Sequence, residues 1–194
     1  MRYPLSLTFK VFAFAPQITV RDAAGELRMY VKQKAFKLKE QVTVFADEQQ
    51  TQPLYYMQAD RVWDIRARYH FTDTNGNPIA SIKRQGARSI WRARYDIEVN
   101  GQVMLTIQEE NPWIKVADAL LTEIPLVGMF AGYVFNPSYA VTAPDGTVLM
   151  RLVKEPAFLE GKFRVEEKVD LPEHDEVRIV LSLMMMLLLE RRRG

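Results

Sequence analysis

The chain has 194 residues, of which 48% are hydrophobic and 26% are charged. This balance fits one globular domain with a sizeable core and excludes a disordered chain. The net charge is +2, and cysteine is absent, which excludes a disulfide framework, a thiolate metal site and a cysteine nucleophile and suits a cytoplasmic protein.

The first predicted element is a strand over residues 7–14. The chain start, Met1-Arg2 followed by an apolar run, faintly resembles a secretory signal. Lys10 interrupts that run, however, and Pro16 would follow the cleavage site. We therefore interpret this region as part of the folded domain.

A strand–turn–strand unit then recurs along the chain, centred in turn on Gly25, Gly76, Gly101 and Gly146. Apolar and polar residues alternate on the strands around each glycine, which places every second side chain on an apolar face. In three copies the glycine follows Asn or Asp, a pair that supplies the positive φ angles of hairpin turns. In the first copy it follows Ala24, a weaker version of the same signal.

Further strands are predicted over 36–45, 54–58, 62–71, 89–99 and 163–169, which brings the total to about twelve. Twelve strands are too many for one flat open sheet, so the sheet must split into a sandwich or close into a barrel. Closure removes the exposed strand edges.

The region near 111–137 does not fit the hairpin pattern and is predicted as a helix-loop insertion. Asn111-Pro112 opens a short helix that runs through Glu123. Residues 124–135 are then apolar, but proline and glycine interrupt them, and the run is too short to span a bilayer. It either packs across the barrel mouth or forms an exposed apolar loop.

The last predicted element is a helix from about Asp175, its N-cap, to Glu190. Within 177–189 only Arg178 and Ser182 are not apolar, and a helix that is apolar on every side must be buried. A transmembrane segment needs roughly 20 apolar residues, so we predict none here. The helix length, at about 1.5 Å per residue, instead matches the height of a small barrel. An interior filled in this way leaves no cavity for a carried ligand.

Three stretches carry a family likeness: 30–36 (YVKQKAF), the hairpin 72–79 (TDTNGNPI) and 95–101 (YDIEVNG). Together with the acidic Asp175-Glu176 before the closing helix, they make the chain resemble the LURP-one-related family. The barrel of that family is shared with the tubby C-terminal domain and, more distantly, with the phospholipid scramblases. The resemblance implies one tubby-like domain over the whole chain, a mainly β fold with about twelve strands in a closed antiparallel barrel around a central C-terminal helix.

The resemblance implies little about chemistry. Plant members of the family are associated with defence, and tubby domains bind phosphoinositides through surface basic residues. No motif of this chain aligns with those basic positions, so no binding residue is transferred from them.

No constellation in the sequence indicates an enzyme, a metal site or a cofactor. The two histidines, His70 on an outer strand face and His174 in a loop before the helix, have no metal-ligand spacing. A nucleophile elbow, a phosphate-binding loop and a dinucleotide fingerprint are all missing. The glutamate pairs at 109–110 and 166–167 point to opposite strand faces, whereas acid–base catalysis needs converging groups. We therefore predict a non-enzymatic protein without a cofactor.

The best positive feature is a set of basic residues that alternate with inward apolar ones. We call it the basic wall, and it comprises Lys37, Lys39, Arg66, Arg68, Lys83, Arg88, Arg92 and Arg94. It lies in the half of the chain that holds 16 basic and 8 acidic residues, whereas the half from 96 holds 10 and 16. The wall either binds phosphates by charge-assisted hydrogen bonds or is solvated, with arginines paired to acids such as Asp64, Asp96 and Glu98.

Three functional hypotheses follow from these observations. The first is a binding module, cytoplasmic or peripheral at the membrane, that meets anionic membrane lipid (phosphoinositide-like) or a protein partner through the basic wall. The second is a structural or protein-interaction domain without a lipid role, which uses the apolar residues 124–135. Nucleic-acid binding by the same wall ranks third, and it would have to weaken with salt.

Overall fold

The computed structural model describes residues 1–10, 17–32, 41–61, 67–85, 93–110, 138–157 and 160–191. These residues form twelve strands and one helix. The strands are β1 Leu5–Lys10, β2 Gln17–Arg21, β3 Leu27–Lys32, β4 Val42–Phe45, β5 Pro53–Ala59, β6 Arg68–Asp73, β7 Pro78–Arg84, β8 Arg94–Val99, β9 Gln102–Glu109, β10 Ser138–Thr142, β11 Val148–Glu155 and β12 Glu160–Glu167. The helix, α1, is Glu173–Arg191.

The strands form a closed antiparallel barrel in which each strand pairs with its neighbours in sequence. The barrel closes where β1 pairs with β12, in a register that runs from Leu5 opposite Val165 to Lys10 opposite Glu160. The predicted twelve-stranded closed barrel is therefore confirmed. Closure leaves none of the described strands at a free edge.

Alternation of side chains places one apolar face of the sheet inside the barrel. In β1, the side chains of Leu5, Leu7 and Phe9 are at most 5% exposed, while the residues between them are partly exposed. Tyr69 in β6 and Tyr95 in β8 are buried in the same way, as their positions in the pattern predict.

The predicted glycine-centred hairpins are present, although not all are of the predicted turn type. At Gly25, Gly76 and Gly146 only the glycine has a positive φ, and its amide donates to the carbonyl three residues earlier. Asn100 and Gly101 both have positive φ angles, 52° and 78°, as a two-residue type I′ turn requires. The Asn-Gly signal thus determines the turn type only in the β8–β9 hairpin.

The two ends of the barrel differ in their connections. The turns β2–β3, β4–β5, β6–β7, β8–β9 and β10–β11 all lie at one end, which we call the hairpin end. The last residues of β1, β3, β5, β7, β9 and β11 lie at the opposite end, which we call the connection end.

Helix α1 fills the barrel from the hairpin end to the connection end. Every residue over 179–188 is buried, including Met184, Met185 and Met186, which are 0% exposed. The polar Ser182 is satisfied inside the core because its Oγ donates to the carbonyl of Arg178 at 2.8 Å. The described part of the chain contains no helix that is long and apolar enough to cross a membrane.

The helix begins two residues earlier than predicted. The amides of Asp175 and Glu176 donate to the carbonyl of Pro172, at 2.9 and 3.1 Å, so Asp175 lies inside the first turn and is not the N-cap. His174 consequently belongs to the helix, so the prediction that it lies in the preceding loop is wrong. Three acids in this first turn, Glu173, Asp175 and Glu176, suit the positive end of the helix dipole.

Several predictions concern residues outside the described ranges. They are the helix-loop insertion near 111–137 with its apolar 124–135 run, and the predicted strand portions at 11–14, 36–40, 62–66 and 89–92. Within the described ranges, β1 starts at Leu5, two residues before its predicted start. The assignment of the whole chain to a single domain stays a prediction.

Candidate functional site

Three residues of the basic wall lie in the described structure, on three adjacent strands. Arg68 begins β6, Lys83 is near the end of β7 and Arg94 begins β8, so all three are close to the connection end. Arg68 is directly opposite Lys83 in the β6–β7 register. The remaining members lie outside the described residues, namely Lys37, Lys39, Arg66, Arg88 and Arg92.

Lys83 and Arg94 share the outer face of the sheet. Lys83 is opposite Asp96, and Arg94 is two residues from Asp96 on the same strand and face. This diagonal relationship separates side chains on neighbouring strands by about 7–8 Å. Both side chains are exposed, and neither makes an ion pair with any described residue. They therefore present two adjacent positive charges to solvent.

Arg68 differs from these two because it is paired with a buried acid. Its Nε lies 2.9 Å from Glu98 Oε2, and its NH2 group donates to Glu98 Oε1 at 3.2 Å. The Nε contact falls outside hydrogen-bonding geometry, so the pair has close charges but a single hydrogen bond. Only 8% of the Glu98 side chain is exposed, against 35% for Arg68. Arg68 therefore covers Glu98, and much of its charge is compensated.

Asp96 lies between these cations and is satisfied by neutral donors. Gln85 Nε2 donates to its Oδ2 at 2.6 Å, and Thr106 Oγ1 donates to its Oδ1 at 3.5 Å. Lys83 is opposite Asp96 in the register, yet no ion pair joins their side chains. The ammonium group of Lys83 thus stays available to a partner outside the chain.

The outer face of β11 and β12 is a contrasting surface, which we call the paired wall. It comprises the ion pairs of Arg164 with Glu155 and Glu166, both at 3.3 Å, of Lys162 with Glu155 at 3.4 Å, and of Lys168 with Glu166 at 2.8 Å. The hydrogen bond from Lys168 is the main cause that lowers the pKa of Glu166. The cations of the paired wall are therefore already compensated within the chain.

A buried polar cluster at the connection end joins the barrel wall to the helix. Tyr95 donates to Glu190, and Arg84 Nε lies 3.6 Å from the same carboxylate. The Arg84 guanidinium carbon also lies 5.9 Å from the centre of the Tyr95 ring. Arg84 is only 9% exposed, because strand alternation points it inward beside Ile82. Arg84 therefore lies on the inner face of the barrel, where its role is structural, and it does not belong to the basic wall on the outer face.

At the hairpin end a cleft of about 510 Å³ opens between the β6–β7 turn and the first turn of α1. Its polar lining includes Tyr55, Asp73, Asn77, Glu173, His174 and Arg178. Burial is the main cause that raises the pKa of Tyr55, and the charges of Glu173 and Asp73 raise it further. Sequence reasoning missed this cleft because its residues are far apart along the chain.

The titratable groups considered as catalytic or metal-binding candidates are dispersed. His70 is exposed on β6, and no three His, Cys, Asp or Glu side chains within the described ranges are arranged to hold a metal ion. Glu110 pairs with Arg151 at 3.0 Å, whereas Glu109 does not share that ion pair. Glu167 lies near Glu176, and burial together with that charge raises its pKa. The glutamates of the adjacent pairs thus have different surroundings.

The chain is similar to a known protein family and to a solved structure. A crystal structure of a protein from Arabidopsis thaliana is similar over 98% of this chain and 92% of that chain, at 14% identity and a TM-score of 0.48. A sequence comparison with curated proteins finds no match. The family model described as LURP-one-related matches residues 27–166, which is more than half of the chain. The chain therefore belongs to the LURP-one-related family.

Proposed function

We propose that this chain is a non-enzymatic, cytoplasmic binding domain that contacts anionic membrane lipid, of the phosphoinositide type, through its basic wall. One observation carries the proposal. Lys83 and Arg94 are exposed side by side and make no ion pair with the described residues, whereas the cations of the paired wall are compensated. Uncompensated cations on a rigid sheet are available for phosphate groups.

The position of these cations suits a peripheral membrane contact. Arg68, Lys83 and Arg94 lie on three adjacent strands, and all three are close to the connection end. Each basic residue near an anionic membrane surface contributes about 1 kcal/mol to binding. A wall of several such residues is therefore sufficient for reversible binding without any spanning segment.

Vesicle flotation tests the proposal with the full chain. We expect recovery with phosphatidylcholine vesicles that contain phosphatidylinositol bisphosphate, little recovery with phosphatidylcholine alone, and a decrease as salt is added. The double variant Lys83→Gln/Arg94→Gln removes two exposed charges and should weaken vesicle binding about tenfold or more. The double variant Lys162→Gln/Arg164→Gln removes two charges from the paired wall and is the matched control.

Two results would contradict the lipid proposal. One is equal recovery with neutral and anionic vesicles at low salt. The other is an equal loss of binding in the two double variants, because this would indicate a dependence on net charge alone and not on the basic wall. Urea unfolding of both variants checks that each retains the stability of the parent chain.

A further inference from the structure

The cleft at the hairpin end has an excess of negative charge among the described residues that line it. Among the described residues that line the cleft, Arg178 is the only lysine or arginine, and it is already engaged: NH1 donates to Asp175 at 2.6 Å and Nε donates to the carbonyl of Ile79 at 3.1 Å. Glu173 and Asp73 make no ion pair within the described part of the chain. Two carboxylates therefore line the cleft without a cationic partner among the described residues, although that of Asp73 accepts hydrogen bonds from Asn75 and Asn77.

The positive end of the α1 dipole lies at this end of the barrel, but it does not outweigh the negative charge of the cleft. It contributes roughly half a positive charge, which by itself would favour an anion. Of the three acids in the first turn, Asp175 is balanced by Arg178, and Glu176 lies 2.7 Å from the Met1 ammonium group. The charge of Glu173 remains and exceeds that of the helix terminus. An anionic ligand is therefore disfavoured.

The lining also provides an aromatic side chain, that of Tyr55, in addition to the two acids. The charges of Glu173 and Asp73 both contribute, after burial, to the raised pKa of Tyr55, which places Tyr55 within the field of both. An aromatic side chain beside carboxylates suits an alkylammonium or guanidinium group, through cation–π attraction and charge-assisted hydrogen bonds. A volume of about 510 Å³ accommodates one long side chain.

We propose that this cleft binds the cationic end of a lysine or arginine side chain presented by a partner protein. The site lies at the opposite end of the barrel from Lys83 and Arg94, so it is independent of the proposed lipid contact. One domain can then hold an anionic surface at the connection end and a basic polypeptide segment at the hairpin end.

The test uses the full ¹⁵N-labelled chain and tripeptides blocked at both ends, Gly-Lys-Gly and Gly-Arg-Gly, with Gly-acetyllysine-Gly as the neutral control. We expect the cationic peptides to shift the side-chain amide signal of Asn77 and the backbone signals of 73–79, while the acetylated peptide does not. Glu173→Gln should weaken this binding about threefold or more, since it removes an exposed ion-pair partner. Glu160→Gln, at the opposite end of the barrel, should leave the affinity unchanged.

Asp73 is not used for this test because its carboxylate also holds the β6–β7 turn, where it accepts from the amides of Asn75 and Asn77. The proposal is overturned if the acetylated peptide binds as well as the lysine peptide, or if Glu173→Gln leaves the affinity unchanged. It is also overturned if spermidine binds to the cleft and the peptides do not, since the cleft would then be a polyamine site. None of these results depends on vesicle binding.

Discussion

The phenol of Tyr95, on strand β8, donates a hydrogen bond to Glu190 in the last turn of the enclosed helix. The two residues are separated by 95 positions in sequence, and the Tyr95 side chain is fully buried. Arg84 approaches the same carboxylate from β7. This contact fixes the connection end of α1 against the barrel wall, while Arg178 and Ile79 do so at the hairpin end.

Tyr95→Phe should destabilise the protein by about 1.5–3 kcal/mol, because the removed hydrogen bond has a charged acceptor in a buried setting. Urea unfolding at neutral pH measures the change in the free energy of unfolding. Tyr139→Phe is the matched control, since Tyr139 is also buried but makes no comparable bond to Glu190. An equal loss in the two variants would show that the phenol–carboxylate bond contributes nothing specific.

Stability should decrease in alkali because buried tyrosines are protonated in the fold. Burial is the main cause that raises the pKa of Tyr139, and the charges of Glu109 and Glu190 add to it. A raised folded pKa gives stability that is fully present below the unfolded pKa of about 10 and is lost as the pH rises above it. Tyr139→Phe should therefore make the decrease of the unfolding free energy with pH, above pH 10, less steep by about 1.4 kcal/mol per pH unit. An unchanged slope above pH 10 would contradict this assignment.

Gly101→Ala and Gly161→Ala should lower the free energy of unfolding by different amounts and for different physical reasons. Gly101 has a φ of 78° with open space around it, so an added methyl group meets no atom but strains the backbone, by about 1–2 kcal/mol. Gly161 lies outside that φ range, and its added Cβ would lie 3.3 Å from the ring edge of Phe163 and 3.5 Å from Phe9 Cβ. Because the Phe163 ring can move, we expect urea unfolding to show a smaller loss of stability for Gly161→Ala than for Gly101→Ala.

Glu98→Gln should strengthen binding to anionic vesicles. The substitution keeps the shape of the side chain but removes the charge that compensates Arg68, which adds one available cation to the basic wall. An increase of about fivefold in vesicle affinity corresponds to the contribution of one basic residue. Glu166→Gln frees cations of the paired wall instead and is the control. If both variants gain equally, the lipid contact does not depend on the location of the basic wall.

The barrel was predictable because its signals are local. Alternation of apolar residues, such as Leu27, Met29 and Val31, reports which face of a strand is buried, and glycine reports where a turn needs a positive φ. The start of the helix was misplaced because two acids at 175–176 resemble a cap, whereas the carbonyl of Pro172 receives the first bonds.

The details of the site depend on pairing between distant strands and could not be read from periodicity. Arg68 and Glu98 are 30 positions apart, and an irregularity in the β8–β9 pairing falls between Ile97 and Glu98. Alternation placed Arg68 outside the barrel correctly, and Glu98 was one of three acids predicted as arginine partners, but periodicity did not assign it to Arg68. The cleft likewise requires Tyr55 and Glu173 to meet across more than one hundred positions, which no sequence motif records.

The enclosed helix also has a consequence for biosynthesis. A ribosome that has released β12 has produced the barrel wall but not the residues that fill it, because α1 follows all twelve strands. Until Glu173–Arg191 emerges, the inward faces of Leu5, Val20 and Phe71 have no helix to cover them. Transiently exposed apolar strands of this kind are prone to aggregate. We therefore expect nascent chains stalled before the helix to be held by chaperones, and native closure to follow its emergence.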